Sequence, residues 1–209
     1  TWLLWREFRL NRWILVTSAA AILPCFAIAL FVDAFVATKD NITPEEHVFA
    51  GFGVAFSALT VALLAGNAFA GERADRSVEF LDYLPLKRTH LLASKLLLCF
   101  GTITVLCIID LLVLAQTATN RQVGFSELVS ISSFAVLIFG VNWLVSSLQS
   151  SPALATVSGL VASIAFVGGV AAESLTSVER GALLAVVFAI GIGCFSIGTW
   201  YYLRSPSQR

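Results

Sequence analysis

Charge is scarce in this sequence. Asp, Glu, Lys and Arg make up 12% of the residues, and 58% are hydrophobic. A soluble domain carries about 25% charged residues. Too little polar surface remains to cover a globule, which excludes an ordinary soluble fold. Histidine is scarcer still. The only two, His47 and His90, lie in or beside polar segments. An intramembrane metalloprotease needs His and acids within its spans, and no Ser and His are placed for a buried dyad. No basic patch of useful size exists, so nucleic acid is excluded as a partner. The four cysteines, Cys25, Cys99, Cys107 and Cys194, form no C-x-x-C pair. They read as small apolar packing residues rather than disulfides or a metal site. No G-x-x-x-x-G-K-[ST] loop occurs, so the chain offers no P-loop for ATP.

What the chain does have is apolar blocks of about 20 residues, the length that crosses a bilayer as helix. Six spans are expected, near 13–36, 48–70, 91–115, 128–148, 152–172 and 177–203. The fold class is an all-α membrane protein, with 1–209 forming a single transmembrane domain. The opening residues mix Trp2, Trp5 and Phe8 with Arg6, Arg9 and Arg12. They read as a short helix along the membrane interface, where Trp and Arg suit the headgroup level. The apolar run that follows is too long for a signal-peptide core.

Local signals punctuate the spans. Pro24 sits mid-way through the first and is expected to kink it. The second is rich in Gly, Ala and Ser, which let helices approach closely in lipid, so it belongs inside the bundle. Thr43, Thr89 and Ser126 are expected helix caps, and Thr176 with Glu179 fits a capping box. Pro152 suits the first turn of the fifth span, which makes a tight hairpin of spans four and five. Trp200, Tyr201, Tyr202 and Arg204 form an aromatic and basic anchor at the last span's end.

Against this apolar background stands Gly71 to Lys95, which holds nine of the chain's 26 acidic and basic residues. A charge island between two spans is a water-exposed loop. Six spans put both termini on one side. That side then holds Arg6, Arg9, Arg12, Arg73, Arg76, Lys87, Arg88, Lys95, Arg204 and Arg209, and the other only Lys39, Arg121 and Arg180. The bias places the termini and the island in the cytoplasm. Within the island, Glu72 and Arg76 are spaced for a helical ion pair. Val78, Leu81 and Leu84 form an apolar stripe that Pro85 ends. The island is therefore a short amphipathic helix, a break and a basic turn. It either anchors the bundle at the interface or presents a surface to a cytosolic protein.

Glu72, Arg73, Glu79, Phe80, Leu81, Leu84, Pro85, Arg88 and Lys95 match a pattern. The chain there resembles the loop between spans two and three of type-2 ABC transporter permeases. Trp5-Arg6-Glu7-Phe8-Arg9 resembles that family's entry helix. The resemblance implies an exporter subunit without intrinsic catalysis, in a plasma membrane such as the bacterial inner membrane. A separate cytosolic ATPase would bind ATP and Mg, so this chain needs no cofactor. The resemblance further implies a coupling helix that sits on that ATPase through Glu72, Arg73, Arg76, Glu79, Phe80, Leu81, Pro85 and Arg88. A second permease subunit, identical or different, and membrane lipid are the other implied partners. One feature departs from the family: the link between spans five and six is short, where many relatives carry a larger outer element.

Asp33, Asp110 and Asn142 are polar groups within spans. Each acid reads either as a carboxylate reaching the outer interface or as polar lining of a transport path. Asn67 and Asn142 are expected to bond between helices. The generically apolar spans leave lipid, peptide, drug and saccharide open as substrates. A non-transporting anchoring or assembly protein that binds a partner through 71–95 is the alternative function.

Overall fold

The structure, a computed structural model, describes residues 2–36, 44–74, 87–117, 125–171 and 177–204. Among them there are six helices and no strand. These are α1 (Trp2–Val36), α2 (Pro44–Ala74), α3 (Arg88–Thr117), α4 (Phe125–Leu148), α5 (Pro152–Ala171) and α6 (Ser177–Arg204). Five contain stretches long and apolar enough to cross a membrane: Trp2–Phe31, Phe52–Ala74, Arg88–Val113, Val129–Leu148 and Gly181–Arg204. Pro152–Ala165 of α5 is a shorter apolar stretch. The chain is an integral membrane protein.

The opening residues do not form a helix of their own. They are the first turns of α1, which runs unbroken for 35 residues with Pro24 inside it. At 1.5 Å per residue that is roughly 52 Å, well beyond a hydrocarbon core of about 30 Å. Likewise α2 runs on to Ala74, which places Glu72 and Arg73 in its last turn. Helix α3 begins at Arg88, ahead of the expected Thr89 cap, and the Lys87 carbonyl accepts from the His90 amide. Helix α4 begins at Phe125, so Ser126 lies inside the helix instead of capping it.

Helix α2 is the hub, as its small residues imply. Of its most apolar window 56% is buried, against 22% for α1, α3 and α6. It packs against α1, α3, α4 and α5, while α6 lies along α4. Close approaches depend on glycine. A methyl at Gly66 would stand 3.1 Å from the Thr156 Cα of α5, and one at Gly140 of α4 would collide with the Gly191 carbonyl of α6. The α4–α5 turn is tight. Ser151 Oγ accepts from the Leu154 amide and Pro152 opens α5. An aromatic cluster fills the space between α2, α4 and α6. Phe69 meets the Trp143 ring edge-on at 4.5 Å and stacks on Tyr202 at 4.3 Å. Phe139 and Phe195 pack on Trp143, whose indole N–H donates to Thr199 Oγ1 at 3.1 Å.

Candidate functional site

The N-terminus of α1, the C-terminus of α2 and the N-terminus of α3 meet at one end of the bundle, and four charged side chains converge there. Lys95 Nζ lies 3.3 Å from Glu7 Oε2 and 3.1 Å from Glu72 Oε1. The Arg6 guanidinium lies 2.7 Å from Glu72 Oε1 and 3.6 Å from Glu7 Oε1. Each acid therefore touches both bases, and each base both acids. The ring is closed and its net charge is zero.

Burial makes this closure necessary. Glu7 and Lys95 are each 3% exposed at the side chain and Glu72 5%, with Arg6 the most open at 17%. An unpaired charge so placed costs several kcal/mol, an order-of-magnitude figure for desolvation. Glu72 also sits in the last turn of α2, where the helix dipole disfavours a carboxylate. Arg6 and Lys95 hold it there.

Beside the ring, Asn67 Nδ2 of α2 donates to Asn11 Oδ1 of α1 at 2.9 Å, and Asn11 Nδ2 donates to the Glu7 carbonyl at 3.0 Å. Asn67 thus bonds between helices as expected. These groups, with Leu10 and Gly71, line a cavity of about 160 Å³. Glu7 Oε1 is buried and accepts no hydrogen bond among the described residues.

Arg73 faces the other way. Its two terminal nitrogens donate to the carbonyls of Gln149 and Ser147, at 3.1 and 2.6 Å. Carbonyls at a helix C-terminus lack intrahelical partners, and a guanidinium satisfies them well. One turn earlier, Ser146 Oγ of α4 accepts from the Phe69 and Ala70 amides of α2 at 3.0 and 3.1 Å. The end of α2 is thus held on one side by α1 and α3 and on the other by the α4–α5 turn.

The expected docking residues divide. Glu72 is turned inward and Arg73 clamps the hairpin turn, so neither is laid out on an outer surface. Arg88 is half-buried at the start of α3, within electrostatic reach of the Tyr202 phenol. Arg76, Glu79, Phe80, Leu81 and Pro85 lie outside the described residues. So does the side chain of Asp33. Asp110 is buried, 4% exposed, and accepts from Ser57 Oγ of α2 at 2.9 Å. Asn142 is wholly buried. Its amide donates to Ile138 of its own helix at 2.8 Å, and its Oδ1 abuts Gly159 without a hydrogen bond.

Compared with known proteins, the chain matches no family model, no curated protein and no solved structure. The site therefore rests on its own geometry. Sequence reading assigned no site role to Arg6, Glu7, Lys95, Asn11 or Ser146. A signal existed for one of them. Lys95 lies seven residues inside an apolar helix, and a base at that depth requires an acid from a neighbour.

Proposed function

We propose that this chain is the permease subunit of an ATP-driven ABC exporter with six spans and both termini in the cytoplasm. An ATPase on a separate chain docks on the 75–87 segment. Its movement enters the bundle through the two roots of that segment. The observation that supports this reading is the closed charge ring. It joins Glu72 at one root and Lys95 beyond the other to Arg6 and Glu7 of α1. A load on the segment is thereby shared among three helices at once, and Arg73 passes it to the α4–α5 hairpin. Spans that rock about such an end alternate access for the substrate. The six-span topology and its orientation are supported by ten of thirteen bases falling on one side.

The deciding experiment is co-purification with candidate ATPases, followed by an ATPase assay in lipid. Reversing Arg76 and Glu79 (Arg76→Glu, Glu79→Lys) is expected to release the ATPase while the membrane protein still inserts. Unchanged capture and unchanged stimulated turnover would sink the docking reading. Topology has its own check. Cysteines introduced by Ser77→Cys and Asn41→Cys should react with a membrane-impermeant thiol reagent from opposite sides.

A further inference from the structure

The outward face of α1 carries chemistry that neither the ring nor the docking segment uses. Trp2, Trp5, Arg9, Arg12, Trp13 and Val16 fall on one helical stripe, and all are exposed. The opposite stripe, with Glu7 and Asn11, is buried in the bundle. Arg6, at the stripe's edge, spends its charge on Glu72 and Glu7. Arg9 and Arg12 do not. Among the described residues neither pairs with a carboxylate, and Arg12 lies over the Trp13 ring at 5.3 Å. The two guanidiniums are three residues apart, roughly 4.5 Å along the axis. Trp5 precedes them and Trp13 follows, and indoles favour the headgroup level of a bilayer. Helix α6 repeats the arrangement at the same end of the bundle, with Arg204 over the Trp200 ring at 4.8 Å. Two separate helices thus carry an Arg–Trp pair at that end.

We propose that Arg9 and Arg12 form a binding site for an anionic phospholipid headgroup, with Trp5 and Trp13 bracketing it. Charge complementarity selects this occupant. The face carries two positive charges and no acid. It therefore repels the cation of a zwitterionic headgroup and attracts a lipid whose phosphate is its only charge. Guanidinium groups suit phosphate oxygens because their N–H fork can engage two at once. Near an anionic surface each arginine contributes up to about a fivefold preference. Since the site lies at the ring's back, lipid bound there braces α1 where the proposed load arrives. The site stands on exposure and charge alone, and it persists even if no ATPase binds this chain.

The test uses the full chain in two sets of vesicles of identical phosphatidylcholine and phosphatidylglycerol content. In one set only the phosphatidylglycerol carries bromines near the head of its acyl chains, and in the other only the phosphatidylcholine does. Bromine quenches nearby tryptophan, so quenching reports which lipid sits against the protein. Stronger quenching is expected from brominated phosphatidylglycerol. Arg9→Gln with Arg12→Gln should remove most of that bias, and Arg9→Lys with Arg12→Lys should keep much of it. Wild-type helix content by circular dichroism and an unchanged SDS unfolding midpoint in mixed micelles show that each variant is folded. Equal quenching of the wild-type chain by the two lipids overturns the proposal. A bias that survives the Gln substitutions overturns it too. So does loss of ATPase capture in those variants with the lipid bias intact, which would make the face a protein-docking surface.

Discussion

At the N-terminal end of α1, four charges, three of them buried, neutralise one another at 2.7–3.6 Å. Farther along α3, about 22 Å beyond Lys95, Asp110 is as deeply buried yet meets, among the described residues, only a hydroxyl, Ser57 Oγ at 2.9 Å. The two regions solve burial differently. In the ring, every member depends on every other, so the three helices that supply it are locked as a set. The Asp110–Ser57 pair joins only α2 and α3. Removing a member should therefore matter far more at the ring.

Lys95→Met gives the largest expected effect. Among the described residues it leaves Glu7 and Glu72 to share Arg6. Removing one partner of a buried pair costs about 3–5 kcal/mol. The loss should appear as unfolding at lower SDS fraction in mixed micelles. Adding Glu7→Gln should recover most of it, because the surviving Arg6–Glu72 pair at 2.7 Å is again neutral. Wild-type stability in the single variant would mean the ring is not closed in the membrane. Equal stability of single and double variants would mean that charge balance is not its basis.

Gly140→Ala comes next. The added methyl collides with the Gly191 carbonyl, and backbone yields less readily than a side-chain tip. Overpacking of this kind costs roughly 1–3 kcal/mol. The same unfolding assay should show it. Because α4 and α6 do not contribute to the ring, the loss should add to that of Lys95→Met rather than overlap it. A non-additive result would show that the aromatic cluster and the ring are coupled.

Arg73→Gln sharpens the comparison in a different way. It removes two hydrogen bonds to the α4–α5 turn without touching the ring. Bonds from a charged donor contribute about 1.5–3 kcal/mol each, and water at this end of the bundle will offset part of that. The stability loss should be smaller than for Lys95→Met. If the hairpin also carries load, ATPase stimulation should fall further than stability does. Parallel losses in both would reduce Arg73 to a structural clamp.

Much of the architecture was legible because apolar length, small residues and proline act locally. The blocks near 48–70 and 128–148, the glycine- and alanine-rich character of α2 and the Pro152 start of α5 each follow from neighbouring residues. The ring was not, because its members are far apart in sequence. Arg6 and Glu72 are separated by 66 positions, and Glu7 and Lys95 by 88. Sequence spacing offers Glu72 a partner four residues away, Arg76, which lies outside the described residues. Arg6 and Lys95 reach Glu72 from other helices, which spacing along one helix does not reveal. The continuous α1 was missed for a related reason. Trp and Arg at the interface look the same whether a helix lies flat or stands upright. Only the inward turn of Glu7 and Asn11 distinguishes the two.

The smallest expected effect lies at the other buried acid. Ser57→Ala removes the hydroxyl that Asp110 accepts from, and side-chain hydrogen bonds between membrane helices average about 0.6 kcal/mol. Asp110→Asn keeps an oxygen for Ser57 to donate to and should fall within that range. Both should be nearly silent in the unfolding assay that Lys95→Met fails. Transport is then the informative readout. If Asp110 lines the substrate path, Asp110→Asn changes which substrates stimulate the ATPase while stability holds. If Asp110 serves only to join α2 to α3, stability and substrate response both stay close to wild type. A loss as large as that of Lys95→Met would instead show that Asp110 has a charged partner in the membrane, and that the two buried regions are built alike after all.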